Sequence, residues 1–329
     1  MGGCGAGGPE EDYRQYLTRL ARTLAVAPVA PEQTAIPAPP PARDLRLDLA
    51  PGNIGALDFL ALSGCAVQIT IGKRNSSLGR MARPSQRLLL DLEFLLLAPE
   101  CIAYQRRTGE EALAVTLEES WELKREQLPA QIFNATLGGS EYRAFWRTGA
   151  PAADYPAATG SALITTLEEL NSHARRWLQG DFTADNQGIE LLLGKVAGGD
   201  GGTLLRALAA QASALAAADQ ILVARMAGGP LCGPGRRPPA ADILDNVVNR
   251  FFIGAIQPRA AALNRRYHEL LPPITELEQM LDPALPAAYQ AWRGRRDAQF
   301  AALAEAPRRH VQTLLAIQEP CKRGAPGGR

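Results

Sequence analysis

Residues 84–104 read PSQRLLLDLEFLLLAPECIAY, and the rest of the chain can be organised around them. Pro84 and Ser85 stand where a helix starts, because the first-turn N–H groups have no intrahelical partner and proline loses nothing there. The run that follows is apolar nearly all round, the pattern of a helix enclosed by other helices. The expected fold class is therefore all-α, a multi-helix globular bundle with a buried central helix near 84–104. The longest apolar run, LLLDLEFLLLA at 88–98, is interrupted by Asp91 and Glu93. It is far shorter than the roughly 20 residues of a transmembrane helix. An unpaired buried carboxylate is costly, so Asp91 and Glu93 require cations, and Arg74, Arg80, Arg83 and Arg87 lie nearby in sequence.

Outward from this segment, helical periodicity recurs over 108–127, 160–179, 186–197, 202–227, 240–256, 258–281, 286–304 and 307–319. Leu163, Leu167, Leu170, Ala174 and Trp177 form one stripe. Leu204, Leu208, Gln211, Leu215, Ala218, Leu222 and Met226 form another, with alanines beside them that allow close helix packing. AVQITI at 66–71 carries β-branched residues but is read as helix. PEEDYRQYLTRLARTLAV at 9–26 is an amphipathic helix, with acids in its first turn and Tyr13, Leu17, Leu20 and Leu24 on one face. The following APVAPEQTAIPAPPPAR is too rich in proline to propagate helix or sheet and reads as an extended connector. GGDGG at 198–202 reads as a mobile turn, and GAPAADYPAATG near 149–160 as the best subdomain boundary. The expected organisation is a tether at 1–8, a helix at 9–27, a Pro-rich connector at 28–51, helical subdomains at 52–149 and 150–321, and a disordered tail at 322–329.

The formal charge is +1, from 35 basic and 34 acidic residues, so no global field gathers nucleic acid. The catalytic templates are missing: there is no Walker loop, GxSxG elbow, HExxH or EF-hand loop. No catalytic residue, cofactor or metal site is expected. His173, His268 and His310 lie far apart on expected helices and read as ordinary surface or packing residues. The acids of EESWE at 118–122 resemble a glycosidase pair, but the solvated face of an amphipathic helix accounts for them equally.

The densest polar segment is KRNSSLGRMARPSQR at 73–87. Arg74, Asn75, Ser76, Ser77, Arg80, Ser85 and Arg87, together with Asp91 and Glu93, form either an anion-binding group or a set of caps and counter-ions for the two carboxylates.

Five cysteines are present, with no CxxC and no histidine at metal-ligand spacing. Setting Cys4 aside leaves Cys65, Cys101, Cys232 and Cys321, an even four that suits two disulfides in an oxidising compartment. Cys65 with Cys101 and Cys232 with Cys321 is the simplest of three pairings. Four reduced, buried thiols in a cytosolic protein are the alternative. Cys4 itself sits among glycines in MGGCGAGG, where small residues before a cysteine resemble the end of a bacterial lipoprotein signal.

LDFLALSGC, RNSSLGR and PSQRLLLDLEFLLLAPECI resemble domain-of-unknown-function family 3080, uncharacterised proteobacterial envelope lipoproteins. The resemblance implies lipidation, of palmitate type, at Cys4 as the first mature residue. Gly5 after it, in place of aspartate, implies the outer membrane. The functional expectation is an uncharacterised envelope lipoprotein facing the periplasm, a non-catalytic binding or scaffold protein. Its partners would be the membrane, through the lipid, and an unknown envelope component, with no nucleic acid. An envelope hydrolase using acidic residues and a cytosolic helical adaptor are the alternatives.

Overall fold

The computed structural model describes residues 8–50, 55–156 and 159–323. Cys4 and most of the expected tether lie outside the described residues, as do 324–329 of the expected tail. The chain is all-α, and among the described residues there is no strand, only an isolated bridge between Gly233 and Arg236. The helices are α1 (Pro9–Leu24), α2 (Ala42–Leu45), α3 (Ala56–Ala61), α4 (Ala66–Asn75), α5 (Ser77–Arg80), α6 (Pro84–Thr108), α7 (Glu111–Ala135) and α8 (Ser140–Phe145). They continue as α9 (Ala162–Leu178), α10 (Asn186–Ala197), α11 (Gly201–Ala227), α12 (Pro239–Val247), α13 (Gln257–Met280), α14 (Ala287–Ala304) and α15 (Ala306–Arg323). A π-helical segment, Val248–Ile256, fuses α12 to α13, so the two helices expected at 240–256 and 258–281 form one continuous rod. Pro258, which has no N–H to donate, stands in the first turn of α13.

The segment at 84–104 forms most of α6, which runs alongside α7 as a long hairpin. Leu88, Leu92, Leu95 and Ala98 are completely buried, while Leu96 is 49% exposed, so one flank of this helix faces solvent. The hairpin serves two cores. Near the α6–α7 turn, Phe94, Ala98, Cys101, Leu113 and Leu117 pack with Leu62, Val67 and Ile71 of the α3–α4 region. Nearer the other end, Leu88, Leu92, Leu128 and Ile132 join the main core, which extends through α9–α15. Residues 149–160 therefore do not divide two separate cores. Tyr155 is buried there and donates to Asp200 at 2.9 Å, and Asp200 pairs with Arg266 of α13 at 2.6 Å.

By length and composition, residues 186–227 resemble a membrane span, but they form two helices, and α11 alone buries Leu204, Leu208, Leu215, Ile221 and Leu222 in the main core. α1 docks on α11 and α12 through Tyr13, Tyr16, Leu17, Leu20, Ala21 and Leu24. Each buried leucine contributes about 1.5–3 kcal/mol. The proline-rich stretch after α1 is more than a spacer. Trp292 donates to the Pro37 carbonyl at 3.0 Å, and Asn134 exchanges hydrogen bonds with the Leu47 backbone at 3.0 and 2.9 Å. Within it, α2 buries Leu45.

Two disulfides tie the ends of these units. Cys65, before α4, bonds Cys101 of α6 at 2.04 Å, and Cys232, after α11, bonds Cys321 of α15 at 2.02 Å.

The GGDGG stretch is a packing device. Cβ atoms on Gly199 or Gly201 would strike the Phe145 ring, and one on Gly202 would meet the Trp146 and Arg147 carbonyls. Gly202→Ala is expected to lower unfolding free energy by about 1–3 kcal/mol, because backbone atoms must move to admit the methyl group. Urea unfolding followed by tryptophan fluorescence measures this; an unchanged midpoint would show that the approach is looser than described.

A fully enclosed ion pair lies near those glycines, beside Trp146. Arg296, on α14, is 0% exposed and sits with its guanidinium 4.9 Å from the ring centres of both Trp146 and Trp292. It donates to Glu278 at 2.7 and 2.9 Å, and Tyr289 donates to the same carboxylate at 2.5 Å. Burial opposes the charge on Arg296, but Tyr142 and Glu278 outweigh it and raise its pKa well above the ordinary value.

Candidate functional site

The polar residues of 73–93 are distributed mainly as caps and counter-ions. Asp91 is 3% exposed; Lys124 donates to its Oδ1 at 2.5 Å, Arg74 lies 2.9 Å from that oxygen, and Gln131 donates to Oδ2. Burial lowers the Lys124 pKa, with Asp91 acting against it. Glu93 pairs with Lys73 at 3.0 Å on the surface. Ser76 caps α5 by accepting from Gly79 N–H and donates to the Lys73 carbonyl. Arg87 donates to the Arg80 carbonyl at 2.5 Å, Ser85 is buried at the start of α6, and Asn75, Ser77, Arg80 and Arg83 are exposed. Of the four arginines near the carboxylates, only Arg74 reaches Asp91, while Lys124 and Gln131 arrive from α7. None of these residues lines one of the principal cavities.

The 118–122 acids are also dispersed. Glu118 pairs with Arg106 at 2.5 Å, Glu119 and Glu122 face solvent, and Trp121 donates inward to the Leu95 carbonyl at 3.0 Å. Among the described residues no cluster of histidine, cysteine and carboxylates could hold a metal ion.

His310 has a more specific place than a packing residue. It is completely buried, with Nδ1 2.7 Å from Asp219 of α11 and Nε2 2.8 Å from the Tyr16 hydroxyl of α1. The order carboxylate–imidazole–hydroxyl resembles a nucleophile relay. The hydroxyl end, however, is phenolic and buried; burial foremost, and then Asp219, pushes the Tyr16 pKa far above its ordinary value. The contact therefore anchors α1 to α11 and α15. Burial foremost, and then Arg176, lowers the His173 pKa, while the His268 ring lies against Tyr267.

That anchored face of α1 forms one wall of a large cavity, an open space of about 1100 Å³. The opposite wall is α11, and residues 26–36 cross it as a strap. Small side chains create the space: Ala21 and Ala25 on one side, Ala209, Ala210 and Ala214 on the other. Leu17, Val26, Val29 and Ile36 complete an apolar lining. The strap is fixed near its ends, by the Val26 N–H to the Ala21 carbonyl at 3.1 Å, the Thr34–Ser213 hydroxyl bond at 2.9 Å and Gln299 on the Ala35 carbonyl at 2.6 Å. Pro28 and Pro31 remove two backbone donors between these points.

Charges occupy the rim. Arg14 pairs with Glu11, whose carboxyl is held low first by that hydrogen bond, and Arg206 donates to the Thr148 carbonyl at 3.2 Å. Arg22, exposed in the last turn of α1, has no carboxylate in ion-pair range among the described residues. Nothing in the sequence pattern marked this site: its alanines read as helix-packing residues and its strap as a spacer.

The described residues thus form an all-helical body closed by two disulfides, with the buried carboxylates Asp91 and Glu278 paired and a wide apolar cavity under a proline strap. The chain belongs to the family described as protein of unknown function (DUF3080), whose model matches residues 13–323. No curated protein and no solved structure matches the chain.

Proposed function

We propose that this protein is an envelope lipoprotein, anchored through Cys4, facing the periplasm and acting by binding rather than catalysis. The observation that carries this reading is the use of the cysteines: four are joined in pairs, which leaves Cys4 as the single thiol outside a disulfide. Stable structural disulfides belong to oxidising compartments, which favours the periplasm over a cytosolic adaptor. The buried carboxylates Asp91 and Glu278 are engaged by cations, which speaks against an acid–base site, whereas a wide apolar cavity suits a binding protein.

Metabolic labelling in the native host with an alkyne fatty acid tests the anchor. The expected result is a labelled protein in the membrane fraction, with Cys4→Ser unlabelled and released into the soluble fraction. Non-reducing peptide mass spectrometry is expected to show both disulfide-linked pairs. Free thiols at Cys65 and Cys101, together with no label on the wild-type chain, would overturn the envelope reading.

A further inference from the structure

We infer that the cavity between α1, α11 and the strap is a binding site for a free amphiphile with a single long acyl chain and an anionic head group. The length fits. Its lining on α1 extends from Glu10 to Ala25, about 22 Å at 1.5 Å per residue. One acyl chain spans half of a bilayer core, about 15 Å.

The lining chemistry fits as well. A small polar metabolite needs several converging donors and acceptors, but the lining is mainly aliphatic, and its hydroxyls at Thr18, Thr34 and Ser213 are already bonded within the protein. Its volume of about 1100 Å³ slightly exceeds the usual upper bound of about 1000 Å³ for small-molecule sites. A second bulky chain would have to displace the strap, whose bonds at Thr34 and Ala35 hold it across the opening.

The sign of the head group follows from the rim. Arg14, Arg22 and Arg206 face Glu10 and Glu32 there, and Glu11 neutralises Arg14, so the sign is set not by a net excess but by which guanidinium is left without a carboxylate. Arg14 and Arg206 have protein partners, whereas among the described residues Arg22 has no carboxylate in ion-pair range, only the favourable field at the C-terminal end of α1. A carboxylate or phosphate beside Arg22 supplies that partner through a charge-assisted hydrogen bond. The strap provides the entry route. Residues 27–33 cross the mouth between fixed ends and can lift without disturbing the α1–α11 contact, which His310 and the buried leucines hold.

This inference rests on the binding reading above. Its test uses purified full-length Cys4→Ser protein in solution, so failure here leaves the acylation and disulfide results standing. Titration with anthroyloxy-stearate is expected to give saturable one-to-one binding that palmitate displaces. Ala210→Trp, placed on an exposed cavity-lining position of α11, is expected to weaken binding at least tenfold with unchanged helicity and urea midpoint. Val29→Asp on the strap, partly buried against the edge of the main core and outside every helix, is expected to do the same with unchanged helicity, and remains informative if the tryptophan variant misfolds. Arg22→Gln is expected to weaken palmitate about tenfold and leave competition by hexadecanol unchanged. Wild-type affinity in both cavity variants, or equal loss of acid and alcohol in Arg22→Gln, would overturn the proposal. Binding by Cys4→Ser but none by the acylated native protein would assign the cavity to the chain's own lipid and overturn the free-ligand proposal.

Discussion

Arg296→Met is expected to lower the unfolding free energy by about 3–5 kcal/mol, a large share of the roughly 5–15 kcal/mol that holds a folded protein together. The cost arises from what stays behind. Glu278 is 1% exposed, and without the guanidinium its carboxylate keeps only the tyrosine hydroxyls as donors. The two indole faces also lose a cation held 4.9 Å from each ring centre. Methionine is apolar and flexible enough to fill much of the vacated space, so the loss reports charge more than volume. The double variant Arg296→Met with Glu278→Leu should recover part of the stability, since a buried ion pair and an apolar replacement are often nearly equivalent. Tyr142 then lacks its acceptor and Tyr289 keeps only the Tyr142 hydroxyl at 3.3 Å, which keeps recovery incomplete. Urea unfolding followed by the fluorescence of Trp146 and Trp292 reads both variants. If the single variant changed stability by less than about 1 kcal/mol, the pair would not be enclosed as described.

Removing the Cys232–Cys321 bond by replacing both residues with serine is expected to cost about 4–5 kcal/mol on the chain-entropy account. The bond closes 89 residues of chain, against 36 for Cys65–Cys101. The longer loop confines the unfolded chain more, so the Cys65–Cys101 pair should cost slightly less, about 4 kcal/mol. The site of loss should differ as well. Without Cys232–Cys321, α15 keeps His310, Leu314 and Ile317 in the core but loses its covalent hold near the C-terminal end. Its last turns should therefore exchange amide hydrogens faster while α6 and α7 stay protected. Dithiothreitol should lower the wild-type urea midpoint and act on each double-serine variant only through the bond it retains. Full insensitivity of the wild type to reductant, with five titratable thiols in the unfolded chain, would remove both bonds.

Local pattern made much of the architecture legible. The helix expected at 186–197 has the bounds of α10, because Asp185 caps Gln187 and Gly188 at its start and Gly198 follows its end. The stripe Tyr13, Leu17, Leu20, Leu24 is the face on which α1 docks. Where local signals conflicted with packing, packing prevailed. Helix α7 passes the expected end at 127 and carries Pro129 inside it, since Leu128, Ile132 and Phe133 must reach the main core. The expected break before 258 is bridged by a π segment.

Partnerships were legible only at short range. Arg74 was visible as a counter-ion for Asp91, but Lys124 and Gln131 lie 33 and 40 residues away and meet it only because α6 and α7 pair along their length. The Tyr16–His310 contact spans 294 residues, and no periodicity links its members. The cavity was less legible still: an alanine on a helix face looks the same whether its neighbour closes against it or stands away.

Amphipathic spacing, caps and cysteine parity are local properties, and from them the chain specifies its helices, their inward faces and enough thiols for two bridges. Distance between faces is a property of the assembled helices. Only the packing of α1 against α11, with a proline strap too poor in donors to seal the space, leaves room for a ligand, because a void depends on what fails to meet.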